Sequence, residues 1–236
     1  MTDANHGSAS DETVAPHVEE HESGRAVARI ARALPPFERA YAFARFVIMR
    51  QKLLALMNLV LPAEGRILDV GCGFGLFSAY FGLMCPARRM VGVDPSARRI
   101  EMARTVARKL DLRANEYHVG TAETLAVEGS FDAIFMLDVL HHVPPESQLS
   151  LLEHLRDRLA PDGVMLIKDV TTDQPFKLGF TRLLDRAMVG LNEPLAYRHH
   201  HEWSRMLARL GMRTRIVRVP DVLPYPHVVI VGRPER

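Results

Sequence analysis

Ile67-Leu68-Asp69-Val70-Gly71-Cys72-Gly73-Phe74-Gly75 decides how this chain is read. An apolar run ends in an acid, and glycine then occupies every second position. The run reads as a buried strand. Glycine after it lets the backbone turn sharply and approach a ligand with no side chain in the way. A helical pattern starts near Phe74 or Gly75, so its free N–H groups suit a carboxylate or a phosphate. A second strand-like run, Met90–Val93, ends in Asp94, 25 residues after Asp69. A carboxylate there can accept hydrogen bonds from ribose hydroxyls. Asp69 can accept one from a ligand ammonium or order the loop. Together these features describe a cradle for a nucleoside cofactor.

Outward from this stretch, strand and helix signals alternate. Strands are expected at 66–70, 90–93, 116–120, 131–137 and 163–168, with helices at about 75–84, 96–110 and 146–159. Regular alternation predicts an α/β fold, a Rossmann-like doubly wound sheet with its ligand site at one edge. Seven strands are expected, mostly parallel. The last two, Thr214–Val219 and His227–Val231, are joined by the short linker Pro220–Pro226, and a short connection implies an antiparallel pair. Helices are also expected at 176–189 and 202–210. Upstream, Pro35-Pro36 separates a short helix at 25–34 from a longer pattern running from Phe37 to about Leu61. The longer one is expected to pack on the domain as an amphipathic helix, or to serve as a lid over an apolar substrate or touch a membrane surface. The chain thus divides into an acidic tail at 1–24, N-terminal helices at 25–62 and the main domain at 63–236, with an insert at about 170–203.

Charge is unevenly spread. Residues 1–24 hold six acids and no Lys or Arg; the remaining 212 residues hold 30 basic and 22 acidic side chains, a net of +8. The tail has too few apolar side chains to offset the cost of ordering and is expected to be disordered. The surplus of cations is too diffuse to indicate a nucleic-acid partner. The two cysteines, Cys72 and Cys85, make no disulfide framework, which suits a cytoplasmic setting. No signal peptide and no spanning helix is expected. The sequence specifies no oligomeric state.

A dinucleotide site wants Gly-x-Gly-x-x-Gly. Here the third glycine comes one residue early, and an acid precedes the turn, so a ligand carrying an ammonium fits better than a pyrophosphate. The set as a whole resembles the class I S-adenosylmethionine-dependent methyltransferases. The pieces that carry the resemblance are Asp69 to Gly75, then Gly92-Val93-Asp94-Pro95-Ser96, Phe131-Asp132-Ala133-Ile134, Asp138-Val139-Leu140-His141-His142-Val143 and Leu159-Ala160-Pro161-Asp162-Gly163. The resemblance implies S-adenosyl-L-methionine as cofactor. Asp69, Gly71, Cys72 and Gly73 would hold its methionine end, Asp94 its ribose and Pro95 its adenine. Thr121, Ala122 and Glu123 would line the adenine edge, with Leu137 and Asp138 closing the site. Many relatives carry Asp where this chain has Thr121.

Methyl transfer to a hydroxyl benefits from a base titrating near neutrality, and histidine is suited to that. By the resemblance, His141 or His142 is the base and Asp169 its orienting partner. Some quinone-type relatives hold a divalent ion at this loop, which Asp138, His141 and His142 could imitate; no metal is assigned. Adjacent residues point in different directions, so His199-His200-His201 is read as surface or lid rather than metal site. Tyr41, Phe176, Phe180, Tyr197 and His200 are candidates for the acceptor pocket, as are Phe37, Met188 and Tyr225. Trp203 is expected to anchor packing. An Asn-Pro-Pro-Phe/Tyr signature of nucleic-acid methylation is absent. The expected partner is a small acceptor, apolar or lipid-like, with at most peripheral membrane contact and no nucleic acid.

Overall fold

The structure, a computed structural model, describes residues 16–173, 179, 195–218 and 226–235. Three helices lead: α1 (Pro16–Ala33), α2 (Pro36–Met49) and α3 (Gln51–Val60). Then follow β1 (Gly65–Val70), α4 (Leu76–Met84), β2 (Arg88–Asp94), α5 (Ala97–Lys109), β3 (Glu116–Val119), β4 (Phe131–Leu137), a 3-10 turn (Leu140–His142), α6 (Gln148–Asp157) and β5 (Leu159–Val170). After residue 195 come α7 (His200–Arg209), β6 (Met212–Arg218) and β7 (His227–Pro234).

The strands form one seven-stranded sheet in the order β3-β2-β1-β4-β5-β7-β6. β7 runs antiparallel to both neighbours, and the remaining pairings are parallel. This is the predicted Rossmann-like sheet. β1 is an interior strand, and both of its faces are apolar: Ile67 and Leu68 are fully buried, on opposite sides. One core layer joins Ile67 to α1–α4, and the other joins Leu68 to α6 and α7. Trp203 is fully buried in the second layer, the packing role expected of it.

Two N-terminal expectations need correction. Residues 16–24 belong to α1, which starts well before the helix expected at 25–34. Ser23 is buried and shares a 2.9 Å hydrogen bond with the Tyr80 hydroxyl. The pattern expected as one helix over 37–61 is two, broken at Arg50, whose φ is +48°. No Gly or Pro marks the break, so continuous periodicity concealed it. No described helix is long and apolar enough to cross a membrane.

Candidate active site

The ends of β2, β1, β4 and β5 lie side by side and bring Asp94, Asp69, Asp138 and Asp169 to one edge of the sheet. A cavity of about 680 Å³ opens there, of a size usual for ligand pockets. Gly71, Cys72, Gly73, Asp69, Asp94, Pro95, Leu137 and Asp138 line it, as do Tyr41, Arg45 and His142.

The glycine turn is shaped by need. Gly71 has φ +71°, and a Cβ there would lie 2.5 Å from Val139 Cγ2. Gly73 has φ +55° and open space where its Cβ would be, so bare backbone borders the cavity. The N–H groups of Gly71 and Cys72 both donate to the Val93 carbonyl, at 2.8 and 3.1 Å. Asp94 then ties the loop to the next helix: its Oδ2 accepts from Gly73 N–H at 3.0 Å and its Oδ1 from Ser96 N–H at 2.9 Å. Each carboxylate oxygen keeps a second lone pair for a ribose hydroxyl.

Asp69 accepts from the Ser78 hydroxyl at 2.5 Å. Burial pushes its carboxyl up to about 7; Ser78 opposes this and Asp94 adds to it. A ligand ammonium beside Asp69 would relieve the burial by favouring the carboxylate. Burial, then Asp69 and Asp94, hold the Cys72 thiol well above its ordinary range, so it is a packing group rather than a nucleophile. An open cradle with an acid at each end thus fits a zwitterionic nucleoside such as S-adenosylmethionine.

Asp138 differs. Burial alone would raise its pKa, but Lys168 and then Arg45 outweigh that and hold it well below the usual carboxylate range. Lys168 Nζ donates to its Oδ1, and Arg45 reaches its Oδ2 at 3.0 Å. Each oxygen already faces a cation, and two positive charges beside Asp138 disfavour adding a divalent ion to the set that its spacing from His141 and His142 suggested. Sequence reading missed Arg45 and Lys168. The signal for Arg45 was a cation interrupting the inward face of an apolar helix.

The histidine pair divides its roles. His141 is 1% exposed, and its Nδ1 lies 2.5 Å from Asp169 Oδ1. Its backbone N–H also meets Asp169 Oδ2, at 3.2 Å. The expected pairing with Asp169 is therefore present, but buried beside the cavity. His142 lines the cavity, its ring centroid 4.1 Å from that of His141. Tyr197 is half-buried and stacks on His141 at 5.0 Å; it is not in the cavity wall.

Other expected site residues are placed elsewhere. Thr121 and Glu123 are exposed, and Ala122 is buried with its carbonyl bonded to His154 Nε2 at 3.1 Å; none lines the cavity. His200 is 1% exposed and lies 2.9 Å from the Thr171 hydroxyl, so it is a core residue rather than a pocket residue. The bridge between Thr171 and Arg198 pulls it inward. His199, His200 and His201 do not diverge as expected. Their ring nitrogens gather within 4.8 Å because His199 caps α7 and the other two occupy its first turn. Phe37 is 79% exposed and is no pocket residue. Phe176, Phe180, Met188 and Tyr225 lie outside the described residues.

Comparison with known proteins agrees with this geometry. A family profile described as a methyltransferase domain matches residues 40–215. The chain is 34% identical over 151 residues to a ubiquinone biosynthesis O-methyltransferase of Azorhizobium caulinodans, covering 62% of this chain and 54% of that protein. It thus spans about half the length of the curated relatives it matches. A Burkholderia thailandensis 1,6-didemethyltoxoflavin-N1-methyltransferase with bound S-adenosylhomocysteine superposes with a TM-score of 0.63 at 20% identity, covering 97% of this chain and 94% of that one. The YcgJ protein of Bacillus subtilis gives 0.64 at 19% identity, covering 79% and 100%. These two likenesses show the shared fold. The chain belongs to the class I S-adenosylmethionine-dependent methyltransferases.

Proposed function

We propose that this protein transfers a methyl group from S-adenosylmethionine to a hydroxyl oxygen of a small, apolar or lipid-like acceptor. The observation that carries this reading is the cavity bounded by the bare Gly71–Gly73 turn and Asp94 and reached by His142. The apolar wall, with Tyr41, Phe74, Phe77 and Leu137, favours an apolar acceptor. The ubiquinone-type names of the curated relatives point the same way. Bound in the cradle, the cofactor supplies a methyl group activated by a sulfonium. The protein then has to orient, desolvate and remove a proton. His142 takes the acceptor proton as the oxygen attacks the methyl carbon and the carbon–sulfur electron pair returns to sulfur. His141, fixed by Asp169, is a positioning residue that holds the turn and the neighbouring ring. Two free thiols suit a cytoplasmic setting.

Calorimetry with S-adenosylhomocysteine tests the donor site. Binding in the micromolar range, lost in Asp94→Ala, is the expected result; binding of NADH instead would overturn it. For the base, His142→Ala is expected to lower turnover about a hundredfold with cofactor affinity unchanged. His141→Ala should lower it less. If neither variant loses about tenfold or more, well short of the roughly hundredfold lower edge of a general-base effect, acid–base catalysis at this turn is wrong and positioning alone remains.

A further inference from the structure

The outer face of α2 is unusual for a helix packed on a domain. Phe37, Ala40, Phe43, Ala44 and Val47 recur at three- and four-residue intervals, and all are exposed. The large ones are bare: Phe37 is 79% exposed, Phe43 68% and Val47 46%. The inward face already supplies the helix with its packing through Ala42, Phe46 and Met49, so the fold does not need the outer residues. A contiguous apolar stripe left to water marks a surface that something covers.

We infer that this face docks on an anionic lipid surface. Charge identifies the occupant. From residue 25 to residue 60 the chain carries Arg25, Arg29, Arg32, Arg39, Arg50 and Lys52, besides Arg45 inside the cavity, against one acid, Glu38, with exposed Glu22 just before them on α1. Glu38 is buried and engaged by Arg98 at 2.6 Å. Arg25, Arg29 and Arg32 form an exposed i, i+4, i+7 row on α1, and Arg39, Arg50 and Lys52 are exposed on α2 and at the start of α3. Arg39 also fixes α2 to the end of α1, donating to the carbonyls of Ala31 and Leu34 at 2.9 and 3.1 Å. Aromatic side chains on one face of α2, with exposed cations on that helix and on the helices before and after it, suit an interfacial anchor for anionic headgroups. A second copy of this chain would bring the same cations against themselves.

The position gives the docking a use. Tyr41 and Arg45 on the inner side of α2 line the cavity, so the anchored helix separates lipid from active site by one helix thickness. The inference stands on the outer face alone and does not depend on which acceptor is methylated.

Vesicle flotation with the full chain tests it. The wild type is expected to float with phosphatidylcholine vesicles containing phosphatidylglycerol, and far less with phosphatidylcholine alone or in high salt. The combined variant Phe37→Ser, Phe43→Ser, Val47→Ser should cut the bound fraction about tenfold. Its affinity for S-adenosylhomocysteine should stay unchanged, which shows that it is folded. Arg25→Gln, Arg29→Gln, Arg32→Gln should bind both vesicle types alike, losing the anionic preference. Three results overturn the inference. The wild type stays in solution with both vesicles; the serine variant floats as well as wild type; or light scattering finds a wild-type dimer that the serine variant converts to monomer.

Discussion

Asp69 shows how burial sets a working range for a single side chain. With its pKa pushed up to about 7, the empty site holds a proton there in mildly acid solution. A ligand ammonium requires the carboxylate, so binding below pH 7 must expel that proton. Affinity for S-adenosylhomocysteine should therefore fall as pH drops from 8 to 5, by at most about tenfold per unit, with proton release measurable by calorimetry in buffers of different ionisation heat. Asp69→Asn should bind weakly with a flat pH profile. A wild-type affinity independent of pH over that range would exclude a contact between Asp69 and the ammonium. The acid itself was legible in sequence because it closes a local motif. The division of labour at His141 and His142 was not. Both stand on one 3-10 turn, and Asp169, from a strand distant in sequence, holds the His141 ring inward. His200 was misjudged for the same reason: its partner Thr171 lies across the insert.

At the level of elements, α2 is fastened across the cavity at two points by its inner face. Glu38 reaches Arg98 on α5, and Arg45 reaches Asp138 beyond β4. Glu38 and Arg45 are seven residues apart, two turns of helix, so one face spans both walls. Tyr41, between them, meets Phe74 edge-on at 5.3 Å. The Asp138 end is the costlier to disturb, because Lys168 is fully buried with it. Burial draws the Lys168 amine below its ordinary range even against the pull of Asp138. Lys168→Met would leave a largely buried carboxylate with Arg45 as the arginine or lysine still paired with it among the described residues. It should lower unfolding free energy by about 3 kcal/mol in urea titration. A loss under about 1 kcal/mol would mean that Arg45 alone compensates the carboxylate. Periodicity located this helix but not its attachments, since an arginine inside an apolar pattern reads equally as a solvated charge.

For the molecule as a whole, the strand alternation carried the sheet in advance, because right-handed crossovers leave few ways to arrange such units. The ends of the N-terminal helices escaped it, since the acid-rich stretch before residue 25 resembles a solvated tail and the break at Arg50 has no turn residue. The strand order also bears on synthesis. Ile67 on β1 pairs with Met90 on one side but with Ala133 on the other. A chain emerging from the ribosome can complete the first pairing early, while the second edge of this buried strand waits for residues 131–137. Until they arrive, that edge offers unpaired N–H and C=O groups beside a bare apolar surface. A nascent chain halted between the two pairings is the form of this protein most exposed to aggregation, and the one most in need of a chaperone.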